Sequence, residues 1–295
     1  MNSHLIDWLL LSAVFILYKE IKSCNLSLIH LKLVVMKKIL LFVAMVLFCG
    51  IGMAQQERFL VFEFMKVSND KETNYWETET FWEKIHAERV KSGEIKGWDL
   101  WSLKPGGTEQ GYQYVTVTIY DDPVKALSDG DVWGAAKKAY PDMSDEELRK
   151  ALQDGEKSRE LSKRMFLKVI KTTDDNFKMD IGTVMRMNFM EATNGKTNEY
   201  EKAEINLFLP MHQERVEAGT MSHWALARVL MPSGSKVPTT HMTFDMFKDY
   251  LHYFDAYGRN EVFNVDAETQ MKIDEAVKTR DLNWTYLGTL KKTVK

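Results

Sequence analysis

HAERVKSG at residues 86–93 returns as HQERVEAG at 212–219, and the reading of the whole chain follows from that pair. Five residues past each closing glycine stand Trp98-Asp-Leu100 and Trp224-Ala-Leu226. Upstream, YWETE at 75–79 matches YEKAE at 200–204, so one residue is inserted between Glu204 and His212 relative to the first copy. Further out, FLVFEFMKV at 59–67 pairs with TVMRMNFMEA at 183–192, and KSREL at 157–161 with KTRDL at 278–282. So many matches of type and spacing in one order define an internal repeat.

Each copy reads as the same string of elements. An apolar strand (59–67, 182–191) leads through a polar turn into a long helix (72–92, 197–218). Gly93 and Gly219 suit the position just past its C-terminus, where a left-handed residue ends the helix without a Cβ clash. A second strand (96–103, 222–230), a Pro/Gly turn and a third strand (112–120, 239–244) follow. Helices are predicted over 124–139 and 144–161, with Ser144 and Glu147 forming a capping box, and over 245–256 and 266–279. Closing strands fall at 164–171 and 283–290.

The order β-α-β-β-α-β is ferredoxin-like. Helices cover one face of such a sheet, and the other face must also be buried. The expected class is α+β, with two tandem modules, 55–174 and 175–295, packed through their antiparallel sheets. Element order and duplication over 59–292, without a diagnostic motif, resemble the dimeric α/β-barrel superfamily in fused form. That resemblance implies a fused α/β barrel and a wide range of roles, since the superfamily includes small monooxygenases, haem enzymes and proteins of unknown role.

The N-terminus reads as a targeting signal. MKKILLFVAMVLFCGIGMAQQ from Met36 joins two lysines, an apolar run and the small residues Gly52 and Ala54, so 36–54 is expected to be a signal peptide cut after Ala54. Residues 1–35 are expected to be a non-native upstream extension. The apolar run is short for a membrane span. Removing 1–54 takes 5 of 39 basic and 2 of 42 acidic residues, leaving 34 and 40, a net of −6. It also takes both cysteines, Cys24 and Cys49. The mature chain is then expected in the periplasm or secreted, without disulfide or thiolate chemistry. Its acidic balance argues against nucleic acid as a partner, and a monomer or a homodimer suits the fused fold.

The polar residues that recur are Glu79, His86, Glu88 and Arg89, with Glu204, His212, Glu214 and Arg215. Glu79 and His86 are seven apart and share a helical face, with Arg89 on the adjoining turn. A carboxylate can set a histidine's tautomer and an arginine can hold an anion, so His86, Glu79 and Arg89 are catalytic candidates. His86, Arg89, Trp98, His212, Arg215 and Trp224 are candidate ligand contacts. A purely structural network explains the same duplication. Glu204 and His212, eight apart, are expected to fall out of register. Trp98 and Trp224 are expected to fill space between the sheets rather than line a cavity, and Tyr112, Tyr114 and Tyr120 to share a strand face. His223 and His241 would make a two-histidine pair, with Glu204 or Glu214, if they fell opposite each other on neighbouring strands, but no short-spaced ligand run marks a metal site. Nucleotide-binding glycine motifs and the nucleophile elbow are missing.

Three functions fit these residues, with the cofactor unknown. One is an exported protein binding a small, partly apolar ligand in a cavity of the barrel. Another is a cofactor-free or haem-dependent monooxygenase- or isomerase-like enzyme. The third is a structural or interaction protein without catalysis.

Overall fold

The computed structural model describes residues 57–258 and 265–295. The expected signal peptide, the upstream extension and both cysteines lie outside the described residues. Strands β1 (Phe59–Lys66), β2 (Gly97–Lys104), β3 (Tyr114–Tyr120) and β4 (Glu160–Thr172) make the first half of the chain. Strands β5 (Val184–Ala192), β6 (His223–Met231), β7 (His241–Phe247) and β8 (Arg280–Val294) make the second. They close into one barrel in the order β1-β3-β2-β8-β5-β7-β6-β4. Every pairing is antiparallel, including the β4–β1 closure and the seams β2–β8 and β4–β6 that join the halves. The expected fused α+β barrel is therefore present, and its seams leave no sheet edge exposed.

Period-two alternation sorts the strand residues. In β1, Phe62 and Phe64 enter the barrel with Trp101, Met165, Met187, Phe189, Met242 and Phe244, an apolar packing continuous across both halves. Eight strands leave an interior that side chains alone can fill. The alternate residues Phe59, Val61 and Met65 face outward under the first half's helices. Trp98 and Trp224 also lie on this outer side, beneath the helices and not between the sheets. They sit at even positions of strands whose odd neighbours, such as Trp101 and Ala225, take the interior. Tyr114 and Tyr120 face the helices, but Tyr112 lies ahead of β3 and turns into the barrel against Phe64 and Tyr286. Period two holds only where the backbone is a strand.

In the first half, helix α1 (Glu72–Lys91) lies on the outer face, followed after β3 by α2 (Pro123–Leu127), α3 (Val132–Ala139) and α4 (Asp145–Glu156). The Ser144–Glu147 capping box is present, and α4 stops at Glu156, short of the expected 161, because the chain has already entered β4. The second half carries α5 (Thr197–Ala203), a π-helical turn (Glu204–Phe208), α6 (Leu209–Glu217), α7 (Tyr250–Gly258) and α8 (Ala267–Val277). Residues 245–247, expected as helix, extend β7. Gly93 and Gly219 adopt φ of 74° and 71°. Each donates its N–H to Val90 or Val216, and the next residue donates to the carbonyl of Arg89 or Arg215, closing both helices in the same way.

The inserted residue is taken up by the π turn. Leu209 N–H bonds to the carbonyl of Glu204, five residues back, and Pro210, which has no N–H, follows where the ladder is already interrupted. The extra residue is wound into the axis instead of rotating the rest of the helix. Glu204 and His212 thus keep a common face despite their spacing of eight, contrary to the expectation of lost register.

Candidate functional site

The inward stripe of α1 is unusual because it is largely polar. Its buried residues are Tyr75, Thr78, Glu79, Ile85, His86 and Arg89, which with the half-buried Trp82 form one helical face. Below them β1 and β3 present Val61, Glu63, Thr116 and Thr118. Between the two surfaces lies a cavity of about 540 Å³, lined by Glu79, Trp82, His86, Arg89, Trp98 and Arg159 among others. The cavity is thus outside the barrel, between a sheet and its first helix.

One wall is aromatic. The His86 ring lies between Trp82 and Trp98, at 5.6 and 4.9 Å between centroids and within 28° and 19° of parallel. Arg89 Nη1 donates to His86 Nδ1 at 3.2 Å. Arginine cannot accept, so the neutral imidazole carries its proton on Nε2. Burial, with the nearby Arg89 and Arg159 guanidinium groups, pushes the His86 pKa well down and keeps the ring neutral. Arg89 is itself fixed by Glu94, at 2.8 Å from Nε, and by the Tyr120 hydroxyl at 3.3 Å. Of the other duplicated acids, Glu88 pairs with Lys91 at 2.5 Å, and neither it nor Glu214 lines this cavity or its counterpart in the second half.

The acid in the wall is Glu79, 1% exposed. Arg159 approaches its Oε1 at 3.4 Å and the Tyr75 hydroxyl lies close to the carboxyl, but neither contact has hydrogen-bond geometry. Burial outweighs the arginine's pull and pushes the pKa up from 4.5 to about 7. A carboxyl in a cavity wall that is half protonated near neutral pH can donate to a ligand or accept from it.

The second half repeats the arrangement with a different lining. A cavity of about 460 Å³ lies under the π turn and α6, bounded by Glu204, Phe208, His212, Arg215, Trp224, Tyr257 and Arg280 among the described residues. His212 stacks on Trp224 at 4.9 Å. Its Nδ1 has no hydrogen-bond partner, and burial lowers its pKa to about 4. Glu204 is 2% exposed, and burial raises its pKa to about 7 beside Arg280, 3.1 Å away. Arg215 lies over the Tyr257 ring at 5.8 Å.

The structure therefore brings Glu79, His86, Arg89 and Trp98 to one cavity and Glu204, His212, Arg215 and Trp224 to another. Sequence reasoning missed Arg159 and Arg280, which pair with the two buried acids. Their signal was the KSREL/KTRDL match, read only as evidence of a repeat. His223 and His241 are apart: β6 and β7 pair His223 with Met246 and His241 with Arg228, at opposite ends of the ladder. His223 is held by Thr172 and Thr173, and His241 by Glu201 and Thr240. Among the described residues no group of three or more His, Cys, Asp or Glu is placed to hold a metal ion.

Neither His86 nor His212 fits axial haem ligation. A ligating imidazole ordinarily donates its remote N–H to a carbonyl or carboxylate, which raises its basicity. His86 Nδ1 instead accepts from a cation, leaving the proton on the nitrogen that would bind iron. His212 Nδ1 has no partner at all.

No family model matches the chain, and no curated protein matches it. Solved structures similar to it include a protein from Fusobacterium nucleatum provisionally named a monooxygenase, 12% identical, covering 81% of this chain and 94% of the other at a TM-score of 0.47. A Lactobacillus acidophilus protein with the same provisional name is 12% identical, with coverages of 81% and 96% and a TM-score of 0.46. A haem-binding protein from Thermus thermophilus is 9% identical, with coverages of 79% and 90% and a TM-score of 0.43.

Proposed function

We propose that this is an exported protein that binds a small, planar, partly apolar molecule, uncharged or weakly basic, in the cavity under α1. The observation that carries this is Glu79: a buried carboxyl with an unpartnered oxygen, lining a cavity beside the stacked Trp82, His86 and Trp98. Buried polar atoms are ordinarily satisfied, and an orphan in a cavity wall is a ready contact for a ligand. The lining holds four acids (Glu63, Glu79, Asp129, Glu156), Glu79 only partly ionised, against three arginines (Arg89, Arg159, Arg164), so it has no surplus of positive charge to draw an anion. The aromatic wall supplies a flat apolar surface. No helix among the described residues is long and apolar enough to cross a membrane. Export rests on the 36–54 signal pattern and is tested by the N-terminal mass of protein recovered outside the cytoplasm.

The test of binding is calorimetric titration with quinoline, a flat weak base, after native mass spectrometry of the untreated protein for a retained molecule. Wild type is expected to bind one equivalent, and Glu79→Met to bind about five-fold or more weakly for the lost hydrogen bond. Absence of quinoline binding, or equal binding by Glu79→Met, would overturn the assignment.

A second reading, proton transfer to or from the bound molecule, is favoured by the placement of Glu79, a buried carboxyl in the cavity wall whose pKa burial pushes up to about 7. It requires that proton uptake on binding, measured by titration in buffers of different ionisation enthalpy, disappear in Glu79→Gln. Uptake unchanged in that variant would remove this reading and leave simple binding.

A further inference from the structure

The left-handed Gly93 turns the chain back at the end of α1, so that the next residue returns to the helix it has just left. Glu94 donates its N–H to the Arg89 carbonyl at 3.0 Å, and its Oε1 takes the Arg89 Nε at 2.8 Å and Nη2 at 2.7 Å. The Tyr120 hydroxyl accepts from Nη2 at 3.3 Å. With two of its nitrogens committed, the planar guanidinium has one orientation left, and Nη1 meets His86 Nδ1 at 3.2 Å.

We infer that Glu94 is a positioning residue for the cavity under α1: through Arg89 it holds His86 with Nε2–H as the donor offered to the ligand, and the ligand therefore carries a carbonyl-type acceptor besides the group that meets Glu79. The inference rests on the binding proposed above and names the ligand's second polar group.

The repeat supplies the comparison. Gly219 closes α6 in the same way, but the residue it returns is Thr220, whose hydroxyl donates to the Arg215 carbonyl at 3.2 Å. The strand residue matching Tyr120 is Phe247. The spacing of histidine and arginine is the same, and His212 keeps its indole, Trp224, at 4.9 Å. Yet His212 Nδ1 has no hydrogen-bond partner. The duplicated His and Arg do not make the bond by themselves; it is present where Glu94 and Tyr120 stand.

The consequence for the ligand follows from the ring's surroundings. Trp82 and Trp98 cover its two faces and Arg89 covers Nδ1. Nε2 makes no hydrogen bond among the described residues, and His86 lines the cavity. A buried donor left without an acceptor is costly, so a ligand that supplies one is preferred. Glu79 and His86 stand seven residues apart, about 10 Å along the helix. The two polar groups thus belong at opposite ends of a flat bicyclic molecule, a ring nitrogen towards Glu79 and a carbonyl towards His86.

The experiment compares 6-acetylquinoline with 6-isopropenylquinoline, which has a CH2 where the acetyl group has its oxygen. Wild type is expected to bind the acetyl compound about five-fold or more tightly by calorimetry. Glu94→Thr combined with Tyr120→Phe, the residues of the second half, is expected to lose that preference. Nitrogen-15 NMR of histidine-labelled protein without ligand is expected to show His86 protonated at Nε2 in wild type and as a mixture of tautomers in the variant. A role in folding alone would lower the urea midpoint and leave both readouts unchanged. Equal affinity of wild type for the two derivatives, an unchanged preference in the variant, or a His86 proton on Nδ1 each overturns the inference. If the double variant fails to fold, Glu94→Thr alone makes the same comparison. Quinoline bound with the two derivatives equal overturns this inference and leaves the proposed function standing; no binding of quinoline or either derivative overturns both.

Discussion

Replacing Glu79 by glutamine should make the protein more stable above neutral pH while leaving it nearly unchanged in acid. Glutamine matches the neutral carboxyl in shape and cannot ionise. The folded-state pKa of Glu79 is raised from 4.5 to about 7, chiefly by burial. Each pKa unit corresponds to about 1.4 kcal/mol, so ionised Glu79 costs the fold about 3 kcal/mol. Below pH 4.5 folded and unfolded chains both carry the proton and the group is neutral to stability. Between 4.5 and 7 only the unfolded chain releases it, so stability falls as pH rises; above 7 the whole penalty is present. Wild type alone would not show this cleanly. Burial lowers His212 and His223 from 6.5 to about 4. These groups lose stability in the opposite direction, as pH falls from 6.5 towards 4. The readout is therefore the difference between wild type and Glu79→Gln in urea unfolding at pH 5, 6, 7 and 8. Between pH 5 and pH 8 the variant should gain about 2.5 kcal/mol relative to wild type, the pull of Arg159 being already contained in the folded-state pKa. A constant difference, or a variant that loses ground as pH rises, would refute the buried, proton-holding Glu79 described here.

Glu204→Gln should behave alike, because Glu204 is raised to about 7 for the same reason, and the double variant should add to within a few tenths of a kcal/mol. Arg159→Met, which removes the cation lowering Glu79, should move the Glu79 carboxyl titration above 7 by carbon-13 NMR. A value at or below that of wild type would count against the ion pair. Deleting the exposed Asn206 should convert the π turn to ordinary α-helix and leave a folded protein by circular dichroism, since that is the register α1 already uses. Deleting Lys84 from α1 has no π turn to draw on; it rotates everything beyond by about 100° and should sharply lower the unfolding midpoint. His86→Ala empties the space between Trp82 and Trp98 and should cost about 2–4 kcal/mol in urea unfolding.

The sequence by itself determined the repeat, the order of elements and the glycine-closed ends of the two long helices. These depend on local chemistry: period-two strands, glycine where φ is positive, and serine with glutamate at a helix start. It also picked out Glu79, His86, Arg89 and their counterparts, because polar residues kept at one spacing in both copies stand out against an apolar stripe. Three things were decided only by tertiary structure. Which strand face enters the barrel depends on closure through β2–β8 and β4–β6, and that placed Trp98 and Trp224 under helices and not between sheets. The partners of the buried acids, Arg159 and Arg280, stand 80 and 76 residues beyond Glu79 and Glu204 and reach them only when the closing strands lie beside β1 and β5. The fate of the inserted residue was open as well. A spacing of eight reads as lost register on an α-helix, and only the backbone shows it wound into a π turn that keeps Glu204 and His212 on one face. Burial gives these carboxyls and imidazoles their altered pKa values, and burial is a property of the assembled barrel and helices.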